Sequence, residues 1–223
     1  MRKWAMVLAC LVDVYDTLLT CDFRVQDRVL SDLAGIPCDT WREALSHTHV
    51  ASGVGQVTRA EMYEIVLRTC GVKPREELVR ELVATDLELL LANGRLFDDA
   101  LPFLEQLRSR GIATAIVSNC GEFTRDLLNS RGVIALTDVA VLSCEVGVIK
   151  PSPRIFRYAL AALRANPADT VFVDDQPAFC AAAETVGVHG IRIVRDGGPP
   201  PGPPPPGTVR SLLDVLDVLD VPA

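Results

Sequence analysis

The stretch "MVLACLVDVYDTLLT", residues 6–20, decides the fold class because its unbroken apolar run ends at a single acid, Asp13. A run without polar alternation is typical of a strand buried on both faces of a parallel sheet. Arg2 and Lys3 precede it, as in a short signal, but an apolar run of about ten residues is too short to span a membrane. We therefore expect residues 6–13 to form a first buried strand.

Similar apolar runs recur along the chain and alternate with helical patterns. The later strand candidates are "IATAIVSN" (112–119), "VAVLS" (139–143), "TVFVDD" (170–175) and "GIRIV" (190–194). Three of the intervening helical patterns end at a glycine, as helices with glycine caps do: Gly111, Gly132 and Gly187. Alternation of strand and helix predicts an α/β fold with a doubly wound parallel sheet and right-handed crossovers.

Residues 22–95 interrupt this alternation. They predict four helices, at roughly 23–35, 39–50, 58–70 and 74–92, and no strand. We call this segment the helical insert and expect it to cover the carboxyl edge of the sheet, where open α/β sheets bind ligands. The predicted division is a core of residues 1–21 and 96–196 with the insert as a small all-helical cap domain. Its arginines could contact an anionic substrate: Arg24, Arg28, Arg42 and Arg59.

The C-terminal part begins with residues 197–207, "GGPPPGPPPPG", which predict an extended, semi-rigid connector. Residues 208–223 predict a closing helix that packs on the core. Ser211 and Asp214 have the spacing of a capping box at its start.

Composition limits the possible partners. The 223 residues carry a net charge of −7 without a long basic run, which argues against nucleic acid. The seven cysteines are odd in number and form no CxxC pair, which favours reduced thiols in a cytoplasmic protein over a disulfide framework or zinc site. No segment predicts a membrane partner, and the sequence leaves the oligomeric state open.

Four polar clusters lie at or just beyond the ends of the predicted strands. They are Asp13 to Thr17, Ser118-Asn119, Lys150-Pro151 and Asp174-Asp175. If the strands are parallel, all four meet at one edge of the sheet. A carboxylate, a hydroxyl, an ammonium and a carboxylate pair suit phosphoryl transfer, which depends on positioning and charge neutralisation. Each cluster also has a structural interpretation, since Ser118-Asn119 and Asp174-Asp175 could simply cap helices.

The order of these clusters resembles the four motifs of the haloacid dehalogenase-like (HAD) hydrolase superfamily. "DVYDT" is similar to its first motif, "IVSN" to its second, "GVIKPSPRIF" to its third and "VFVDD" to its fourth, over residues 6–195. The helical insert resembles the superfamily's cap between motifs one and two. The resemblance implies a Rossmann-like core and a hydrolase that acts on a small anionic molecule.

The resemblance also implies a role for each residue. Asp13 would be the nucleophile, Lys150 would neutralise charge, and Ser118 would hold the phosphoryl group with the backbone N–H groups of residues 119–121. Tyr15, Thr17 and Asn119 would lie around the substrate. The implied cofactor is Mg²⁺, with a ligand set drawn from Asp13, the backbone carbonyl of Tyr15, Asp174 and Asp175, where Asp175 supports Asp174 or Lys150.

Tyr15 departs from the pattern of the superfamily's phosphatases, which carry a general acid at this place. A phenol, with a reference pKa of about 10, is poorly suited to acid–base catalysis near neutral pH. Tyr at this place is typical of the superfamily's 2-haloacid dehalogenases, but these normally lack the paired acids of motif four and carry Tyr where this chain has Phe156. Phe179 likewise stands where motif four often has Asn.

These features leave three functions open. The leading hypothesis is a Mg²⁺-dependent phosphatase of a small phosphorylated metabolite, slow or restricted to good leaving groups such as acyl phosphates. The alternatives are a metal-independent 2-haloacid dehalogenase-like hydrolase and a catalytically degenerate binding protein.

Overall fold

A parallel six-stranded sheet forms the centre of the computed structural model, which describes residues 8–195 and 208–219. The strand order is β5-β4-β1-β6-β7-β8, and every neighbouring pair is parallel. The strands are β1 Ala9–Val12, β4 Ala113–Ser118, β5 Val139–Leu142, β6 Thr170–Asp174, β7 His189–Ile193 and β8 Thr208–Val209. The predicted α/β class with a parallel sheet is confirmed.

Helices cover both faces of this sheet. Alternate residues of β1 enter different cores, since Cys10 and Val12 belong to one hydrophobic cluster and Leu11 to another. The first cluster contains residues of α6 Ala100–Ser109, α7 Thr124–Ser130 and α11 Leu212–Leu219; the second contains residues of α9 Pro153–Leu163 and α10 Pro177–Glu184. Because β1 is buried on both faces, it has no polar alternation in sequence.

The strand register places the predicted motif residues at the same edge of the sheet. Val12 pairs with both Ile116 and Val173. Asp13 and Asp174 each follow one of these paired residues, so they lie side by side at the carboxyl end. The Asp13 N–H donates to the Val173 carbonyl at 3.0 Å, which fixes the backbone at this point.

The helical insert contains five helices rather than the four predicted. They are α1 Phe23–Ala34, α2 Cys38–Ser46, α3 His49–Gly53, α4 Arg59–Thr69 and α5 Glu76–Asn93. The predicted helix at 39–50 is divided because α2 ends at Ser46 and a new helix begins at His49. A separate hydrophobic cluster fills the insert around Trp41, whose ring stacks on Tyr63 at 5.7 Å.

A short antiparallel pair, β2 Leu19–Thr20 and β3 Arg95–Leu96, brings the two ends of the helical insert together. The sequence did not predict it, because two residues are too few to show a strand periodicity. This pair returns the chain to the core close to the point where it left.

The C-terminal residues differ in part from the prediction. Residues 208–209 form β8 at the edge of the sheet instead of beginning a helix, and α11 starts at Leu212. The predicted capping box forms in part. The Ser211 N–H donates to Asp214 Oδ2 at 3.0 Å, but Ser211 Oγ accepts from the Leu213 N–H at 3.1 Å rather than from the Asp214 N–H. The predicted connector at 197–207 and the start of the first apolar run lie outside the described residues.

The described helices include none with the length and apolar character needed to cross a membrane.

An ion pair between Arg195 and Asp99 joins several parts of the core. Two parallel hydrogen bonds of 2.8 and 2.9 Å connect the guanidinium to the carboxylate. Arg195 also donates to the Thr17 carbonyl, while Asp99 accepts from Ser211 Oγ and the Leu212 N–H. The pair therefore holds the loop after β1 and the start of α11 against α6.

We expect Asp99→Asn to lower the free energy of unfolding by about 1–3 kcal/mol at pH 7, because it removes the charge that several buried donors share. Burial raises the pKa of Asp99, but the hydrogen bonds from Arg195 and Ser211 outweigh this and leave the pKa below its usual value. A lowered pKa in the folded state stabilises the protein above the unfolded pKa, so the difference from wild type should shrink as the pH falls below about 4. Urea denaturation of wild type and variant at pH 7 and below about pH 4 measures this difference in unfolding free energy.

The exposed neighbour Asp98 provides the matched control. Asp98→Asn should change the unfolding free energy by less than about 0.5 kcal/mol. Equal effects of the two substitutions would contradict the role given to the Arg195–Asp99 pair.

Candidate active site

A buried ammonium group lies between two buried carboxylates at the carboxyl end of the sheet. Lys150 Nζ is 2.7 Å from Asp13 Oδ1 and 2.6 Å from Asp174 Oδ2. Lys150 is 2% exposed, Asp13 5% and Asp174 0%. Asp13 comes from the end of β1, Asp174 from the end of β6, and Lys150 from the loop between α8 Ser143–Val146 and α9. Residues far apart in sequence thus form one charged centre.

The charges at this centre shift one another's pKa values. Burial alone would lower the pKa of Lys150, but the negative charges of Asp13 and Asp174 outweigh it, so the pKa is raised. Burial and the neighbouring charge of Asp13 raise the pKa of Asp174 to about 7, although Lys150 partly offsets the rise. One ammonium group is therefore insufficient to neutralise the carboxylates around it.

Asp175 is the third carboxylate of the group. Oxygen atoms of Asp13, Asp174 and Asp175 all lie within 4.8 Å of one another. Burial, followed by the charges of Asp13 and Asp16, raises the pKa of Asp175 as well. Asp175 is less buried than the other two, and its backbone carbonyl accepts a hydrogen bond from Arg192 Nε at 3.2 Å. The cluster thus carries more negative charge than Lys150 supplies in positive charge.

This donor set fits Mg²⁺. Mg²⁺ prefers oxygen ligands at about 2.1 Å in an octahedron, which places ligand atoms roughly 3–4 Å apart. Asp174 Oδ1 accepts from the Gln176 N–H at 2.7 Å and Oδ2 accepts from Lys150, but a carboxylate oxygen has two lone pairs, so these bonds leave acceptor capacity. Three clustered carboxylates with excess negative charge form a donor set that suits a divalent cation.

Asn119 holds the main chain of Lys150 through both ends of its amide. Asn119 Nδ2 donates to the Lys150 carbonyl at 2.9 Å, and the Lys150 N–H donates to Asn119 Oδ1 at 2.7 Å. The side chain that the sequence analysis assigned to the substrate is therefore engaged in positioning Lys150. Ser118, which precedes it at the end of β4, is fully buried, and its hydroxyl makes only a 3.5 Å contact with the Asn119 carbonyl.

The backbone N–H groups of residues 119–121 are not equally available. The Cys120 N–H donates to Ser143 Oγ at 2.9 Å, so it is already engaged with the start of α8. The resemblance to the superfamily implied that this N–H would face the phosphoryl group together with those of Asn119 and Gly121. Ser143 shows no sequence signal for this contact, because its position opposite Cys120 depends on the packing of β5 beside β4.

The side chain of Tyr15 contacts the start of α7 and α1. Its hydroxyl is 3.0 Å from Thr124 Oγ1, and its ring lies 5.4 Å from that of Phe23. Burial raises the pKa of Tyr15 despite the hydrogen bond with Thr124, which keeps the phenol protonated at neutral pH. Tyr15 can donate a hydrogen bond but cannot exchange protons readily near neutrality.

Two neighbours of Tyr15 complete the loop after β1. Asp16 has a positive φ of 56°, a conformation that Asp tolerates better than most residues and that explains an acid where the superfamily usually has Gly. Thr17 is buried, and its hydroxyl has no hydrogen-bond partner among the described residues, while its carbonyl accepts from Arg195. The hydroxyl is therefore a free donor in the loop that follows Asp13.

Phe179 contributes to the site in a way the sequence analysis did not foresee. Its ring centroid lies 4.9 Å from Lys150 Nζ, and that of Phe172 lies 5.3 Å away. Aromatic faces attract a cation, so the two rings stabilise the ammonium while excluding water from it. The only signal in sequence was the departure of Phe179 from the superfamily's usual Asn.

Arg59 is the arginine of the helical insert that contacts the loop after β4. Its Nε is 3.0 Å from Asp86 Oδ2, and its guanidinium lies over the Phe123 ring at 5.5 Å. A methyl group on Gly121 would come within 2.5 Å of Arg59 Nη2, so this glycine allows the close approach. Arg42, by contrast, pairs with Asp27 on the surface of the insert.

We expect Lys150→Met to lower the free energy of unfolding by about 3–5 kcal/mol in EDTA, because it leaves two buried carboxylates without their shared cation. Urea denaturation at pH 7 measures the loss, and adding Asp13→Asn to the variant should recover part of it. The exposed Lys73 gives the control, Lys73→Met, which should change the unfolding free energy by less than about 0.5 kcal/mol. A Lys150→Met protein as stable as wild type would contradict this reading of the site.

Comparison with known proteins identifies relatives with two kinds of activity. The chain is 28% identical over 206 residues to (S)-2-haloacid dehalogenase 4A of Burkholderia cepacia, covering 86% of this chain and 85% of that protein. It is 30% identical over 207 residues to a phosphoserine phosphatase of Thermus thermophilus, covering 75% and 80%. These relatives leave the specific activity of this chain unresolved.

Solved structures and a family profile agree on the superfamily. A HAD phosphatase from Thermococcus onnurineus is 25% identical with a TM-score of 0.68, covering 96% of this chain and 98% of its own. A 2-haloacid dehalogenase from Pseudomonas syringae has a TM-score of 0.77 with the same coverages, and at 20% identity it supports the fold alone. The profile of the haloacid dehalogenase-like hydrolases matches residues 7–187. The chain belongs to the haloacid dehalogenase-like hydrolase family.

Proposed function

We propose that this hydrolase is a Mg²⁺-dependent phosphatase that acts on a small phosphorylated metabolite through Asp13. The observation that carries the proposal is the group of three carboxylates, Asp13, Asp174 and Asp175, within 4.8 Å of one another around a single lysine. A divalent cation explains why the chain maintains so many acids at one buried point, since like charges this close disfavour joint ionisation. Attack on a carbon–halogen bond requires no such cation.

Asp13 acts as the nucleophile in this proposal. Lys150 holds Asp13 Oδ1 at 2.7 Å, which leaves Oδ2 to attack phosphorus. The bond from phosphorus to the leaving oxygen breaks, the leaving oxygen carries away the electron pair, and an aspartyl phosphate remains. Water then attacks this phosphorus, releases inorganic phosphate and regenerates Asp13. The Ser118 hydroxyl and the N–H groups of Asn119 and Gly121 stabilise the charge on the transferring group.

The Mg²⁺ ligands in this proposal are the carboxylates of Asp13, Asp174 and Asp175 together with the Tyr15 carbonyl. When bound there, the ion neutralises charge on the phosphate and orients it towards the nucleophile. Lys150 remains paired with Asp13 and Asp174. The side-chain amide of Asn119 holds the main chain of Lys150 in place. The helical insert acts as the cap, with Arg59 reaching the loop that binds the phosphate.

Tyr15 limits which substrates this site can hydrolyse. A positioned general acid typically contributes about 10²–10⁴ in rate, and a buried phenol with a raised pKa does not supply it. The leaving group must then depart without a proton. Acyl phosphates meet this condition because their leaving group is a carboxylate, so they are the proposed substrate class.

The second candidate function is a 2-haloacid dehalogenase, which Tyr15 and the Burkholderia relative favour. In that reaction Asp13 attacks carbon and halide leaves without a proton. Phe156 weighs against it, because its ring packs into the core against Phe172 at 5.0 Å and offers no hydroxyl where the superfamily's dehalogenases carry Tyr. The paired acids Asp174 and Asp175 weigh against it as well.

Hydrolysis of a panel of acyl phosphates and phosphate monoesters, with Mg²⁺ or with EDTA, tests the proposal. We expect phosphate release that requires Mg²⁺ and that Asp13→Asn reduces to background. Asp16→Asn is the matched control, because Asn also tolerates a positive φ, and it should retain most of the activity. Release of chloride from 2-chloropropionate in EDTA would establish the dehalogenase instead. If wild type and Asp13→Asn were equally inactive on the phosphate panel and on 2-chloropropionate, both the phosphatase and the dehalogenase function would be contradicted.

Restoring an acid at position 15 tests the explanation for substrate choice. We expect Tyr15→Asp to raise the rate on alkyl phosphate monoesters by about 10²–10⁴, because their leaving oxygen needs a proton. The rate on acyl phosphates should change little. Steady-state rates on the two substrate classes measure the effect, and Tyr15→Phe, which removes the hydroxyl without adding an acid, is the control. An equal gain on both classes would show that Tyr15 does not determine leaving-group preference.

A further inference from the structure

Two cysteine thiols contact each other beside the loop that binds the phosphate in the proposed site. Cys120 Sγ and Cys144 Sγ are 3.9 Å apart. Of the other five cysteines, Cys10, Cys70 and Cys180 direct their sulfur atoms to backbone carbonyls. Among the described residues, the 120–144 pair is the one in which two thiols meet.

The backbone around the pair is held in place from both sides. Ser143 Oγ accepts from the Cys120 N–H at 2.9 Å and lies 3.3 Å from the Cys120 carbonyl, so it joins the loop directly to α8. Arg125 binds Glu145 through two hydrogen bonds of 2.6 Å and fixes α8 against α7. A methyl group on Gly55 would clash with the Cys144 carbonyl, so the helical insert lies close against α8 at this point. These contacts fix the two backbone segments relative to each other and thus keep the two sulfur atoms close.

We propose that Cys120 and Cys144 form an oxidation site, at which a hydroperoxide converts the two thiols into a disulfide. The Cys144 sulfur attacks the peroxide, the O–O bond breaks, and a sulfenic acid forms on Cys144 with release of water from hydrogen peroxide. The Cys120 sulfur then attacks the sulfenic sulfur, the S–S bond forms, and a second water leaves. In total two thiols are oxidised, one peroxide is reduced, and no further reactant is needed.

The surroundings divide the two roles between the thiols. Cys144 is partly exposed, whereas Cys120 is 8% exposed. The hydrogen bond from Cys120 lowers the pKa of Cys144, although burial and Glu145 oppose the effect. The same hydrogen bond, together with burial, raises the pKa of Cys120. The thiolate is the reactive form of cysteine, so Cys144 meets the oxidant and Cys120 resolves the product.

Disulfide formation would change the geometry of the proposed active site. An S–S bond is about 2.05 Å long, so the sulfur atoms must approach by roughly 1.9 Å. Because two hydrogen bonds from Arg125 hold α8, we expect the loop that carries Cys120 to take up part of the movement. Asn119 precedes Cys120 and holds the Lys150 backbone at both its N–H and its carbonyl, so the movement reaches Lys150. Oxidation therefore inhibits the enzyme, a consequence that rests on the proposed function.

Peptide mapping by mass spectrometry tests the oxidation site without reference to activity. Reduced protein is treated with a small excess of hydrogen peroxide and digested without a reductant. We expect a cross-linked peptide pair containing Cys120 and Cys144, and a fall in thiols titrated after denaturation from seven to five, two fewer. Dithiothreitol should restore all seven. Oxidation of Cys144 to a sulfinic acid while Cys120 remains a thiol would overturn the proposal, as would earlier oxidation of Cys21 or Cys38.

Variants separate the oxidation site from its effect on turnover. Cys144→Ser and Cys144→Ala should lose the cross-link and retain phosphatase activity in peroxide, whereas Cys38→Ser should behave as wild type. The oxidised wild type should be slowed roughly tenfold or more, since a misplacement of about 1 Å can reduce a rate by ~10². A cross-link that leaves the rate unchanged would overturn the inhibition but not the oxidation site. A protein without phosphatase activity that still forms the cross-link would contradict only the proposed function.

Discussion

The salt bridge of Lys150 with Asp13 and Asp174 is the interaction on which the rest of the site depends. Burying one charge without a partner is strongly unfavourable, and burying three is possible only if their signs and geometry match. The β1–β6 register places the two carboxylates side by side, and the loop after α8 supplies the ammonium between them. The rings of Phe172 and Phe179 then exclude water from it. The carboxyl end of the sheet therefore carries a group of buried charges with apolar side chains packed beside it.

A surplus of negative charge remains after this pairing, and it gives the site its chemical character. Asp175 adds a third carboxylate, and the pKa of Asp174 rises to about 7 because Lys150 compensates only part of the charge. In the proposed function, this surplus would hold a divalent cation and, through it, a phosphate group. Tyr15 works in the opposite direction, since it removes the acid that a general phosphatase would use. In the proposed function, this combination would favour substrates whose leaving group needs no proton.

The centre is supported by hydrogen bonds that connect it to other parts of the chain. Asn119 fixes the Lys150 backbone, Ser143 fixes Cys120, and the Arg195–Asp99 pair fixes the loop that carries Thr17. These contacts are hydrogen bonds between separate elements, so each of them fixes one element relative to another near the charged centre. In the proposed oxidation, these contacts would connect the thiols of Cys120 and Cys144 to the proposed reaction at Asp13.

The sequence by itself determined the class of the fold and the identity of the charged residues. Apolar runs without alternation predicted the five long strands, because residues buried on both faces must all be apolar, and the positive φ angles at Gly111, Gly132 and Gly187 agree with the predicted helix caps. The ends of those runs pointed to Asp13, Ser118 and Asp174. All these patterns are local: a strand, a helix cap or a strand end can be recognised from a few neighbouring residues in the sequence.

Only the tertiary structure decided which of these residues meet and what each one contacts. Lys150 precedes a proline in a loop with no periodicity, and its position depends on the packing of α8 and α9. The engagement of the Asn119 amide, the contact of Phe179 with the ammonium and the approach of Cys120 to Cys144 all join segments more than twenty residues apart. The short pair β2–β3 and the edge strand β8 were missed for the same reason. A strand of two residues is too short to show a periodicity in sequence. It is defined only by its hydrogen bonds to another strand, which the sequence does not reveal.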